Sequence, residues 1–79
     1  MSYTKINHPL KSKSRTVTLS NGTEEIGLKY ADAVVVAVTA PGKRCIPYVY
    51  NGWWFVTVCE YNMTLSTGSV TVTADYVER

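Results

Sequence analysis

Few residues in this chain are equipped for catalysis. His8 is the sole histidine, and the thiols are Cys45 and Cys59. Nucleophilic catalysis needs a nucleophile, a base and a group that orients the base. A Cys–His pair would put its base beside Pro9, in a polar first segment with no apolar periodicity. The neighbouring carboxylates Glu24 and Glu25 fall on opposite faces of any strand, which suits a solvated turn flank better than acid–base work. No glycine-rich loop leads into a helix that could cradle a phosphate. These residues point to a non-enzymatic protein, with neither a cofactor nor a metal expected.

The cysteines depend on a turn. With a two-residue Asn51-Gly52 loop, Cys45 faces Val58 and the two thiols lie on opposite faces; a three-residue loop would set Cys45 against Cys59. Two small buried side chains are the preferred reading over a bridge. The patterns Asn21-Gly22-Thr23 and Asn62-Met63-Thr64 match a glycosylation acceptor, but no secretory segment accompanies them.

Aromatic residues are the serious binding candidates: Tyr48, Tyr50, Trp53, Trp54, Phe55 and Tyr61 crowd a short stretch. Trp53 and Trp54 are adjacent and must point to opposite faces of a strand. One indole fills the core, and the other turns outward. Beside Tyr48, Tyr50 and Val56 it makes an apolar patch suited to another subunit, a sugar ring or a base. No Lys or Arg lies between Cys45 and Leu65, which argues against single-stranded nucleic acid, although Lys43 and Arg44 stand at the mouth of the hairpin. Tyr48, Tyr50, Trp53, Trp54 and Tyr61 are therefore the interface or ligand candidates.

These residues need a scaffold, and the sequence describes one. Cys45–Tyr50 and Trp53–Glu60 flank Asn51-Gly52, the strongest short-range hairpin signal, and this aromatic hairpin is expected to seed the core. Pro47 marks the first of its strands as an edge. Upstream, Arg15–Leu19 alternates polar and apolar, and Glu24–Leu28 follows after a turn. Ala33–Thr39 is continuously apolar and reads as a central strand covered on both faces. Tyr61–Leu65 allows a further short strand. Ser69–Val77 closes the chain with Val70, Val72, Ala74 and Tyr76 inward and Thr71, Thr73 and Asp75 outward. Six or seven short strands and no helix give an all-β fold, a small antiparallel β-sandwich, with a partly open barrel as the alternative.

Two regions are expected: a basic extended arm over 1–14 and the β-sandwich over 15–79. The arm carries Lys5, Lys11 and Lys13, with Arg15 at its end, and no acid precedes Glu24. It reads either as a solvated tail or as an arm whose Lys5, Lys11, Lys13 and Arg15 contact an acidic neighbour. A net charge of +2 over 79 residues is too weak to argue for nucleic acid or a membrane surface. No hydrophobic leader follows Met1, and the apolar run Ala31–Ala40 is too short to span a bilayer, so a soluble chain made in a cytoplasm is expected. A lone domain this small barely buries enough apolar surface, which favours assembly with copies of itself.

The order of features has a likeness. A Thr-Val-Thr-Leu strand precedes a Tyr-Ala-Asp-Ala-Val stretch at the head of a hydrophobic strand. Ile-Pro-Tyr-Val-Tyr-Asn-Gly-Trp-Trp-Phe-Val-Thr-Val follows, then a closing Gly-Ser-Val-Thr-Val-Thr-Ala-Asp-Tyr-Val-Glu-Arg. Over 15–79 this resembles the small all-β domains at the distal ends of bacteriophage tail fibres and related short virion proteins. The resemblance implies a virion structural or attachment protein of tail-fibre-tip, head-fibre or decoration type, made in the bacterial host cytoplasm. It implies a homo-oligomer with a trimer favoured, and a host surface glycan as a further partner. It brings no catalytic or ligand residues. Those domains end long fibres, whereas this chain opens with a short basic arm, so a stand-alone component held to other virion proteins through that arm is expected.

Overall fold

The computed structural model describes residues 9–79. Six antiparallel strands run β1 Lys11–Leu19, β2 Thr23–Lys29, β3 Ala33–Thr39, β4 Arg44–Tyr50, β5 Trp53–Cys59 and β6 Gly68–Glu78. They form two three-stranded sheets, β1-β6-β3 and β2-β5-β4, and no helix occurs among the described residues. The sheets pack face to face, with β1 beside β2 on one side and β3 beside β4 on the other. This is a small β-sandwich.

Alternation explains the core. Val17 and Leu19 of β1, Ile26 of β2, Val35 and Val38 of β3, Val56 and Val58 of β5, and Val72 and Ala74 of β6 meet between the sheets. Val70 and Tyr76 pack against them, so the inward set expected of the last strand is the observed one. The hairpin is built as its sequence demands: Asn51 and Gly52 both take positive φ (51° and 77°), which twists a two-residue turn to match its strands. Tyr50 then faces Trp53, and Cys45 faces Val58. Both cysteines are free. Pro47 lies on an edge strand, as its missing N–H requires.

Four expectations change. The hairpin enters the core through Val56 and Val58 rather than through its aromatic mass, of which Trp54 alone packs there. β3 is an edge rather than a central strand. Its register shifts between Val35 and Ala37, so the extra residue, Val36, is turned out and 56% exposed. Tyr61–Leu65 is not a strand: the chain turns there, Met63 takes φ 71°, and a single bridge joins Cys59 to Leu65. The fourth change concerns the basic segment. β1 begins at Lys11, so 11–14 belong to the sheet, while the rest of the expected arm, over 1–8, lies outside the described residues.

That extension has a physical cause. β6 is the longest strand, and its far end offers a template for Lys11–Ser14. Outward, Ser12 Oγ donates to Asp75 Oδ1 at 2.6 Å, and the Ser14 and Thr73 hydroxyls lie 2.9 Å apart. On the opposite side Lys13 Nζ crosses to the Gly27 carbonyl at 3.1 Å. Alternating Lys and Ser cannot build a core face, but beside a polar template it can build an edge strand.

Candidate functional site

Strand alternation sorts the hairpin into two faces. Cys45, Trp54, Val56 and Val58 turn inward. Across β4 and β5 the outward pairs are Tyr50–Trp53, Tyr48–Phe55 and Ile46–Thr57. On the other flank of β5, Lys29 stands opposite Trp53, Glu25 opposite Phe55 and Thr23 opposite Thr57. The outer face of β2-β5-β4 is thus a grid, with an aromatic and aliphatic area over β5 and β4 and a charged border on β2.

The rings are mutually arranged. Tyr48 stacks on Phe55 with centroids 5.6 Å apart, and Tyr50 meets the Phe55 edge at 5.9 Å and 78°. Such pairs hold side chains in place without covering them. Lys29 Nζ sits 5.4 Å from the Trp53 ring centre, and Arg44 reaches the Tyr61 ring at 5.3 Å, extending the surface beyond the end of β4. Tyr50 remains 61% exposed and Ile46 50% exposed.

Of the sequence candidates, Tyr48, Tyr50 and Trp53 come together on this face, and Tyr61 joins its lower end through Arg44. Trp54 does not belong: its Nε1 donates to the Ala33 carbonyl at 3.0 Å, tying one sheet to the other. Val56, expected in the patch, is 1% exposed because it shares Trp54's inward face. Phe55 is the residue that takes that place. Arg44 stands at the mouth of the hairpin as its position in the sequence implies, whereas Lys29 and Glu25 were not expected beside the aromatics, because the strand pairing that brings them to β5 is long-range.

The basic candidates turn to their own chain. Lys11 pairs with Glu78, and that carboxylate raises the Lys11 pKa. Lys13 binds the Gly27 carbonyl, and Arg15 Nη1 donates to the Glu25 carbonyl at 3.2 Å. Lys5 lies outside the described residues, as does His8.

Elsewhere the polar groups are structural. Ser66 is 1% exposed and its hydroxyl donates to Glu60, whose carboxylate also accepts from Lys43 Nζ at 2.8 Å. Lys43 and then Ser66 hold the Glu60 carboxyl below the usual carboxylate range. That hydroxyl is enclosed and committed, so it anchors the 60–66 turn and has no path to a substrate. Burial pushes the Cys45 thiol up, with Cys59 adding to the effect, and a protonated thiol is a poor nucleophile. Among the described residues no three His, Cys, Asp or Glu side chains gather as a metal would need. Between the sheets, a space of about 10 Å³ near Lys13, Ile26 and Val72 is no larger than a water site. An open cleft of about 390 Å³ lies beside Leu28, Asp32, Tyr76 and Arg79, but the Arg79 side chain is held there by the Tyr30 carbonyl and ring.

The surface that stands apart among the described residues is the aromatic outer face, with its neighbouring rings and bordering cations. In comparisons with known proteins, no family model, no curated protein and no solved structure matches this chain.

Proposed function

We propose that the chain is a non-enzymatic bacteriophage virion structural or attachment protein that works by packing the outer face of β2-β5-β4 against copies of itself. The observation that carries this reading is one outward row of apolar side chains, Ile46 and Tyr50 exposed and Tyr48, Trp53 and Phe55 half-buried, none of which belongs to the core between the sheets. A soluble monomer seldom leaves such an area open, and rigid aromatic side chains supply interface area at low entropic cost. The virion assignment rests on the resemblance of 15–79 to distal tail-fibre domains. The chain should co-purify with phage particles through a density gradient, and Trp53→Glu should fold yet fail to enter them. Recovery of the chain only as free protein, with particles lacking it, would overturn the assignment.

A second reading draws on the same face. Stacked Tyr48 and Phe55 beside Trp53, with Lys29 and Arg44 at the border, also form a platform for a sugar ring or an unpaired base. Quenching of tryptophan fluorescence by soluble glycans or oligonucleotides, in a monomeric chain, would favour it over self-packing.

A further inference from the structure

Resting on the reading of the aromatic face as a contact between copies, we infer that this contact is isologous. A second copy stacks its outer face on the first about a two-fold axis lying in the interface, and Lys29 of each copy pairs with Glu25 of the other.

The four sheet edges direct association to the face. Extended segments add to a sheet where backbone donors and acceptors are free and the strand is regular. At the β4 edge, alternation from the Tyr50–Trp53 pair turns Val49, Pro47 and Cys45 away from β5, and Pro47 has no N–H to offer. At the β3 edge, the bulge at Val36 interrupts the ladder. At β2, the Gly27 and Glu25 carbonyls are taken by Lys13 and Arg15. The same two cations, directed toward the other sheet from an edge strand, guard β1. Each edge thus carries an obstacle to a continuous ladder, whereas the outer face of β2-β5-β4 is partly open.

The layout of that face is self-complementary. Its rows read Lys29–Trp53–Tyr50, then Glu25–Phe55–Tyr48; the register of β2 shifts between Glu25 and Lys29, so that these residues, four apart on β2, stand beside two neighbouring outward positions of β5. A two-fold axis across the strands, passing between these rows, lays β2 over β2 and exchanges the rows. Lys29 then meets Glu25, Trp53 meets Phe55 and Tyr50 meets Tyr48, each contact occurring twice. Packed sheets stand about 10 Å apart, a gap that an extended Lys and Glu can span together. No ion pair joins Glu25 or Lys29 to another described residue, so both charges are available for it. A three-fold ring, the order implied by the tail-fibre resemblance, sets unlike patches together and leaves this reciprocity unused.

The test is charge reversal in the full chain, read by sedimentation and native mass spectrometry, with circular dichroism and cooperative melting as fold controls. Wild type should be a dimer at micromolar concentration. Lys29→Glu alone and Glu25→Lys alone should each weaken it by about tenfold or more, and the neutral variants Lys29→Gln and Glu25→Gln by less. Mixing the two reversal variants should give one-to-one heterodimers, because the mixed pair regains two opposite-charge contacts. A wild-type trimer, or a mixture that forms no heterodimer, would overturn the two-fold contact. In that event dissociation by Trp53→Glu leaves the aromatic-face reading standing, and an oligomer indifferent to Trp53→Glu removes that reading as well. A wild type that stays monomeric removes both.

Discussion

The two outer faces of this sandwich are built from the same alternation and finished in opposite ways. On β1-β6-β3, Ser12, Ser14 and Thr16 are hydrogen-bonded across the strands to Asp75, Thr73 and Thr71. Three successive outward pairs of that face are thus joined side chain to side chain within its own sheet. On β2-β5-β4, the corresponding positions hold Tyr48, Tyr50, Trp53 and Phe55, which touch one another and remain partly open. Both arrangements satisfy a strand ladder equally well. What differs is the surface left to the surroundings, one built mainly of hydroxyls with Val36 exposed at its edge and one of aromatic rings that a second apolar surface covers better. That difference is the ground on which the second face is proposed as the contact surface.

Substitutions break or sharpen this contrast in a graded way. The largest effect should come from the indole that faces the core. Trp54→Ala removes a ring packed on the valines and a hydrogen bond between the sheets, and should cost ~3–5 kcal/mol by denaturant unfolding. Trp53→Ala, one residue away on the outer face, should cost only about 1 kcal/mol in the dilute chain. Equal losses would erase the distinction between the faces. Next comes Gly22, where the chain crosses from one sheet to the other. Its φ is 79°, and a Cβ there would lie 2.9 Å from the Val58 carbonyl oxygen, so Gly22→Ala should lower stability by ~1–3 kcal/mol. The polar ladder is less demanding: Thr16→Ala with Thr71→Ala should cost ~0.2–1 kcal/mol and leave association unchanged.

The smallest effects should be those of the two solvent-screened ion pairs, one on each sheet. Glu60 has a folded pKa held down by Lys43 and Ser66, so its contribution is present above pH ~4.3 and is lost as pH falls through the folded value. Lys11 has a folded pKa raised by Glu78, so its contribution is present below pH ~10.4 and is lost as pH rises through the folded value. Amide exchange should therefore loosen first around Ser66 in acid and around the Lys11–Tyr76 end of β1-β6-β3 in alkali. Glu60→Gln should abolish the acid step alone. Loosening of both regions together in acid would show that other groups control them.

Much of this was legible beforehand because it is local. Asn51-Gly52 fixes the hairpin register, and that register sets Cys45 opposite Val58 rather than opposite Cys59. The Val-Thr alternation of β6 fixes its buried side. What could not be read depends on neighbours distant in sequence. Lys11–Ser14 is a strand only because β6 is long enough to template it. The apolar run of β3 suggests cover on both faces, yet a bulge turns Val36 to solvent. The adjacent indoles had to diverge, but which one turned inward depended on where Ala33 of the opposite sheet came to rest. Likewise Lys29 and Glu25 reach the aromatic face only through the pairing of β2 with β5.

Everything proposed for this protein turns on whether the outer face of β2-β5-β4 is a contact surface between copies of the chain. Sedimentation velocity of the unmodified protein across the micromolar range tests it most directly, with tryptophan emission followed in the same samples. The mass should rise above the 8.8 kDa of one chain as concentration increases, with a blue shift as Trp53 loses water. A single 8.8 kDa species at every concentration, with unchanged emission, would contradict it.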